Sequence, residues 1–170
     1  MQVSSSRRHL AASALLTLAT QAAVAASANG SFQVQATVVS ACTVSGSLLN
    51  FGGSIDPLVS SVPIDASSTL TVRCTNTTPY SVALDAGLHA GGGAVFGSRS
   101  MSNGAQTIGY QLYLDSGRAT VWGNGTAGSS PVAGTGTGSN QSLTIYGRLP
   151  SLTGAVPGNY SDTVTITISY

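Results

Sequence analysis

Apolar and polar side chains alternate with a period of two over most of the chain beyond residue 30. Near the start of this region apolar side chains occupy every second position from 32 to 38, and the same phase continues through Cys42 and Val44. The alternation is most regular in 163–170, where one face carries Val164, Ile166, Ile168 and Tyr170. This period is typical of strands that bury one face.

The same signals predict further strands in the middle of the chain, at 69–74, 80–84, 109–114, 119–122 and 142–148. Turn-forming clusters separate them, at 56–57, 91–93, 123–125, 134–138 and 157–159. We interpret the Gly/Thr tract at 134–138 as a long hairpin loop. Helix signals are nearly absent beyond the N-terminus, so the pattern predicts an all-β sandwich or barrel.

The N-terminus has the features of a secretory signal, which we place at residues 1–25. Arg7, Arg8 and His9 form a basic region, an apolar stretch follows over 10–19, and 23–25 is a small-residue cleavage site. A second such site at 26–28 is the alternative. The apolar stretch is too short to span a bilayer, and no later stretch has the length that a membrane helix needs.

Charged residues are scarce in the predicted mature chain, which has no Lys and no Glu. Without the signal, four Arg face five Asp, a formal net charge of −1. Such a surface has no basic patch for nucleic acid or anionic lipid. Weak charge repulsion between copies is also compatible with self-association.

Cys42 and Cys74 are the two cysteines of an exported chain, so we predict that they form a disulfide. Both lie in the inward phase of their predicted strands. The chain-entropy model gives such a loop of ~32 residues roughly 3 to 4 kcal/mol of stabilisation. A metal pair or redox couple is disfavoured because the spacing is not Cys-x-x-Cys.

Residues for catalysis are missing from the pattern. His89 lies in a Gly-rich loop with no acid close in sequence, which we interpret as a solvated position. Four aspartates are expected to cap turns or strand ends and not to form a glycosidase pair: Asp56, Asp65, Asp115 and Asp162. We therefore predict that the protein is not an enzyme and has no cofactor-binding or metal site. Trp122 is interpreted as core or rim packing, with a sugar-stacking platform as the alternative.

Several stretches, in this order and spacing, resemble the spore coat protein U domain family, which includes the Csu-type subunits of archaic chaperone–usher pili. The likeness covers nearly the whole predicted mature chain. The stretches that carry it are 30–38, 42–44, 49–52, 72–75, 79–87, 110–113, 120–123, 146–150 and 158–164.

The resemblance implies an incomplete immunoglobulin-like β-sandwich with an N-terminal donor strand. We accordingly divide the chain into a signal peptide (1–25), a donor-strand segment (26–41) and a pilin-like domain (42–170). Donation to a neighbouring subunit would place the following side chains in that subunit's groove: Phe32, Val34, Ala36 and Val38. The alternative is a single long first strand over 32–44, folded within its own subunit.

The resemblance also implies partners and a location. These are a periplasmic chaperone, an outer-membrane usher and other copies or related pilins, with export through the periplasm to a surface pilus or extracellular coat. We expect 163–170 to be both a groove edge and the strand that pairs with the chaperone.

The predicted function is a structural subunit of a surface pilus or coat-like fibre, a shaft or minor pilin that polymerises by donor-strand exchange. The alternative function is a monomeric carbohydrate-binding module or tip adhesin. A position in the pilus shaft is favoured over the tip. A tip adhesin normally carries an additional N-terminal receptor domain, whereas here the donor-like segment follows the predicted signal almost at once.

Overall fold

The structure is a computed structural model that describes residues 24–90 and 95–170. The chain divides into two units, 1–37 and 38–170. In the first, the described residues 24–37 form no helix or strand and are exposed. The described part of the second contains a short 3₁₀ turn at Phe96–Ser98 and these strands: β1 Cys42–Gly46, β2 Ile64–Cys74, β3 Pro79–Leu84, β4 Ser100–Ser102, β5 Thr107–Gly109, β6 Gln111–Tyr113, β7 Val132–Thr135, β8 Gln141–Leu149 and β9 Ile166–Ser169.

Two antiparallel sheets enclose one core. The larger sheet has the order β1-β2-β8-β6 and the smaller β7-β3-β9, while β4 and β5 form a separate ribbon. Buried side chains of both sheets belong to the same cluster, among them Leu70, Val82 and Ile145. The all-β fold predicted from the alternation is confirmed, and of the two architectures it allowed the chain forms the sandwich, because its sheets are open.

Strand β2 shows how the sequence pattern produces the core. Leu70, Val72 and Cys74 are buried, whereas Thr69 and the other intervening residues lie toward solvent. Ser68 is the polar residue in the inward phase, and its hydroxyl donates to the carbonyls of two residues that follow β1. Its burial therefore leaves no unmade hydrogen bond.

The predicted disulfide between Cys42 and Cys74 is confirmed. The two residues are direct partners in the register of β1 and β2. Cys42 is the first residue of β1 and Cys74 the last of β2, so the bond staples the outer end of this strand pair.

The interpretation of 134–138 as a hairpin loop is wrong, because its first two residues belong to a strand and the strands on either side of it lie in different sheets. Val132–Thr135 is strand β7, and Gly134 pairs with Tyr80 of β3. A β-carbon on Gly134 would collide with the Tyr80 ring. Glycine at this position makes room for the aromatic ring of the neighbouring strand. The Gly-rich segment, whose composition is typical of a loop, therefore forms part of an edge strand.

Other predicted strands keep their place but change their length. The strands predicted at 80–84 and 142–148 are present as β3 and β8, and 69–74 is the end of the longer β2. The one predicted at 119–122 is reduced to isolated bridges at Val121 and Trp122. The regular alternation of 163–170 forms a strand only over Ile166–Ser169.

The first strand begins at Cys42, so a continuous strand over 32–44 is not formed. The predicted signal lies outside the described residues except for its last two positions, and so does the turn at 91–93. Within the described ranges, none of the helical structure has the length and apolar character needed to cross a bilayer.

Candidate functional site

One edge strand from each of the two sheets, β1 and β9, lies beside the other in the described part of the chain. Strand β1 pairs with β2 along one side, and β9 pairs with β3 along one side; each is the last strand of its sheet. The two edge strands approach one another at Gly46, where a β-carbon would lie 2.9 Å from Cδ1 of Ile166. The unpaired edges of the two sheets therefore face a common region.

The hydrogen bonds around these strands define which backbone groups remain available. Ser47 N–H donates to Thr69 at 2.9 Å, and Asp85 N–H donates to the carbonyl of Thr165 at 3.0 Å. Because backbone groups alternate sides along a strand, residues 42, 44 and 46 direct theirs away from β2, and 164, 166 and 168 away from β3. Two rows of peptide groups therefore point away from the sheets to which their strands belong.

An open groove of about 820 Å³ continues from this point. Its walls are the stretch that follows β1, residues 46–57, and the stretch that leads into β9, residues 155–166. Its floor consists of core side chains that the rest of the domain buries: Leu84, Ile108, Tyr110, Leu112, Ile145 and Leu149. The groove is therefore an opening into the hydrophobic core.

The wall after β1 is held close to the floor by a glycine. A β-carbon on Gly147 of β8 would lie 2.9 Å from the end of Leu49 and 3.0 Å from the Phe51 ring. Leu49, Phe51 and Ile55 consequently pack on the core while remaining partly exposed. This wall presents an apolar surface to any segment that enters the groove.

The predicted groove-edge residues differ in their distance from the groove. Val164 and Ile166 line the groove, and Ile168 packs on the core further along β9. Tyr170 lies beyond the end of β9 and is 60% exposed.

The predicted donor residues lie outside any strand. Phe32, Val34 and Val38 are 86%, 83% and 89% exposed, and Ala36 is exposed as well. The segment thus offers four apolar side chains that the described structure leaves in solvent.

A buried carboxylate that the sequence did not reveal supports the groove wall before β9. The side chain of Asp162 is 3% exposed and accepts from the Tyr110 hydroxyl at 2.6 Å and from the Leu88 amide at 3.0 Å. His89 Nδ1 lies 2.9 Å from the same carboxylate. The interpretation of Asp162 as a turn cap is therefore wrong. His89 remains a solvated position, with its side chain 38% exposed, but it contacts an acid that is distant in sequence.

Burial raises the pKa of the Tyr110 hydroxyl above its ordinary value, and the hydrogen bond to Asp162 acts in the same direction. Tyr110 and Asp162 both line the groove. The phenol therefore stays a proton donor and ties the groove floor to its wall.

A second polar cluster holds the same wall. Asp85 accepts from the Thr165 amide at 2.9 Å and from the Gly87 amide at 2.9 Å. Arg99, which is 0% exposed, donates to the Asp85 carbonyl and to the Trp122 carbonyl. Burial lowers the pKa of Arg99. The loop after β3 is thus attached to the groove wall on one side and to a buried guanidinium on the other.

Trp122 is 0% exposed and its indole N–H donates to the Val82 carbonyl at 3.0 Å. It is a core residue, and the alternative of a sugar-stacking platform at this position is wrong.

The other predicted turn aspartates divide into two groups. Asp56 and Asp115 accept from backbone amides of their own turns, as expected. Asp65 instead forms an ion pair with Arg148 at 2.8 Å and with Arg118 at 3.1 Å.

In residues 24–90 and 95–170, His, Cys, Asp and Glu side chains do not gather in threes as a metal site requires.

Comparison with known proteins gives three results. The family model described as Spore Coat Protein U domain matches residues 28–167. Protein U of Myxococcus xanthus is 34% identical over 160 residues, which cover 87% of this chain and 88% of that protein.

The third result concerns a solved structure, the CsuC–CsuE chaperone–tip adhesion subunit pre-assembly complex from the archaic chaperone–usher Csu pili of Acinetobacter baumannii. A chain of that complex matches with a TM-score of 0.57 and 22% identity, over 79% of this chain. The match spans 40% of the length of that solved chain. At this identity the likeness concerns the fold.

Proposed function

Because the chain belongs to the Spore Coat Protein U domain family, we propose that it is a structural subunit of a bacterial surface fibre, a pilus or a coat-like layer that supports adhesion or biofilm formation. The subunits are exported through the periplasm by the chaperone–usher route. They polymerise by donor-strand exchange, in which the N-terminal segment of one copy, or of a related pilin, fills the groove of the next.

One observation carries the proposal, which is the groove between the edges of β1 and β9. It combines an apolar interior with the unpaired edges of β1 and β9, which reach it at Gly46 and Ile166. An extended segment with apolar side chains at alternate positions satisfies both needs together, since its backbone pairs with the edges and its side chains enter the groove. A small-molecule ligand would satisfy the apolar floor but not the two edges.

The segment at 26–41 has the composition that this groove requires. Phe32, Val34, Ala36 and Val38 share one face and are exposed, while Gln33 and its alternate neighbours are polar. Full burial of a Val or Phe side chain contributes about 1.5 to 3 kcal/mol. The four side chains together therefore stabilise each joint by several kcal/mol.

A periplasmic chaperone protects the groove of the subunit before assembly. Until a donor arrives, the groove leaves apolar core surface and strand edges open to aggregation. We infer that a chaperone strand pairs with the free edge of β9, which Val164, Ile166 and Ile168 present. The usher then exchanges this strand for the donor segment of the incoming copy.

The test compares Val34→Asp with Gln35→Asp in the full chain, expressed with its chaperone and usher. Both variants add one negative charge to the donor segment, but only position 34 is on the apolar face. Burying an unpartnered carboxylate costs several kcal/mol. We expect Val34→Asp to abolish surface polymer, and Gln35→Asp to preserve it.

The amount of chaperone-bound subunit separates the two readings of the N-terminal segment. In both variants it should equal that of the unmodified chain, because the chaperone strand then occupies the groove. If Val34→Asp yields normal polymer, or if the chaperone-bound subunit disappears together with the polymer, the donor assignment is wrong.

A further inference from the structure

We propose that the Cys42–Cys74 disulfide is the link that carries tension from one subunit to the next along the fibre. The inference rests on the proposed donor-strand assembly and adds a mechanical function to it. In an assembled fibre, the donor segment held in the groove of a neighbour is what connects two subunits. Any pull along the fibre therefore reaches each subunit through its own donor segment.

The pull reaches the first strand of the domain at Cys42, just after the hydrogen bonds of Ala41 to Thr75. Residues 38–41 form no strand, and Cys42 is the first residue of β1. The first structural element that meets the load is thus β1, and it meets the load at its end.

Strand β1 is a weak anchor when it stands alone. It has 5 residues and pairs with β2 along one side. A pull directed across such an edge strand loads the outermost hydrogen bond first, so the bonds break one after another. Peeling would then continue into residues 47–57, which form a wall of the groove, and the joint with the next subunit would open.

Strand β2 is a much stronger anchor. It has 11 residues, lies between β1 and β8, and its register with β8 extends from Ile64 to Val72. Cys74, at the end of β2, is buried in the core. The disulfide joins the point where the load enters to this central strand, so β1 is bypassed.

The structure braces both ends of the bond. Thr75 N–H donates to the Ala41 carbonyl at 2.9 Å, and Ala41 N–H donates to the Thr75 hydroxyl oxygen at 3.2 Å. On the other side, Gly138 N–H donates to the Cys74 carbonyl at 3.0 Å. Gly136 packs so closely on Cys74 that a β-carbon would collide with it. These contacts keep the stapled end of β2 in its sheet.

The test is single-fibre force spectroscopy on assembled polymer. The unmodified fibre is compared with the double variant Cys42→Ala/Cys74→Ala, and with Val44→Ala, which weakens the packing of β1 but keeps the covalent bond. If the double variant fails to assemble, unmodified fibre reduced after assembly takes its place.

We expect the fibre without the disulfide to lengthen before its subunits unfold as a whole. Extension of residues 42–63, which lie ahead of β2, adds up to about 75 Å per subunit at ~3.3 to 3.6 Å per residue. The unmodified and Val44→Ala fibres should lack this early step.

Two results would count against the inference, and they can be told apart. If the fibre without the disulfide lengthens and breaks like the unmodified one, the disulfide does not carry the load, although the proposed assembly stands. If the unmodified chain forms no fibre at all, the proposed function itself is wrong.

Discussion

Arg99 offers the sharpest test of how the groove wall is held in place. Its guanidinium is 0% exposed and donates to three acceptors, which are the Asp85 carbonyl, the Trp122 carbonyl and the Gln111 side-chain oxygen. No carboxylate accepts from it among the described residues. Replacement by methionine keeps an unbranched apolar side chain but removes every one of these bonds.

The expected loss follows from those acceptors. A buried acceptor left without a partner costs about 1 to 3 kcal/mol. The variant no longer desolvates a cation, and this gain offsets part of the loss. For Arg99→Met we therefore expect the free energy of unfolding to fall by about 2 to 4 kcal/mol.

Urea unfolding of the purified subunit measures this difference. Trp122 is the single tryptophan of the chain, and its burial makes its fluorescence a direct probe of the core. Arg73→Met is the matched control, because Arg73 is exposed and its side chain makes one hydrogen bond, to the Gly138 carbonyl. The control should stay within about 0.5 kcal/mol of the unmodified chain.

The contacts of Arg99 also predict an effect on assembly. Arg99 holds the Asp85 carbonyl, and the Asp85 carboxylate holds the Thr165 amide of the groove wall. Arg99→Met should therefore weaken binding of a donor peptide as well. If Arg99→Met unfolds at the same urea concentration as Arg73→Met, the buried guanidinium does not support this part of the domain.

Two further predictions concern the groove floor and the edge strand β7. Because the pKa of Tyr110 is raised in the folded state, the stability that its phenol contributes is complete below the unfolded pKa of about 10 and is lost as the pH rises above that value. In Tyr110→Phe, the unfolding midpoint should therefore decline less steeply with pH in the alkaline range than in the unmodified chain. The same decline in both proteins would contradict the hydrogen-bond role given to Tyr110. Gly134→Ala should lower the free energy of unfolding by about 1 to 3 kcal/mol, because the added methyl group overpacks against the Tyr80 ring. Gly53→Ala, with no atom within 4 Å of the added carbon, should be nearly neutral in thermal unfolding. Equal unfolding midpoints for the two variants would refute the explanation of β7.

The sequence by itself determined which segments bury one face. The alternation in β2, β3 and β8 is local and needs no knowledge of the partner strand, since the side-chain period follows from strand geometry. The bond between Cys42 and Cys74 followed from their being the two cysteines of a predicted exported chain and from the inward phase that they share. The apolar face of 32–38 was visible for the same reason.

The tertiary structure alone decided what those faces meet. Asp162 lies 73 residues from His89 and 52 from Tyr110, so no local pattern could reveal their contact. Strand β7 was hidden because Gly134 serves a neighbouring ring and carries no side chain of its own. The groove also depends on the fold, because a strand's period reports which face is buried but not whether its edge is paired. Pairing is a property of two segments, and only the folded chain brings the edges of β1 and β9 to one opening.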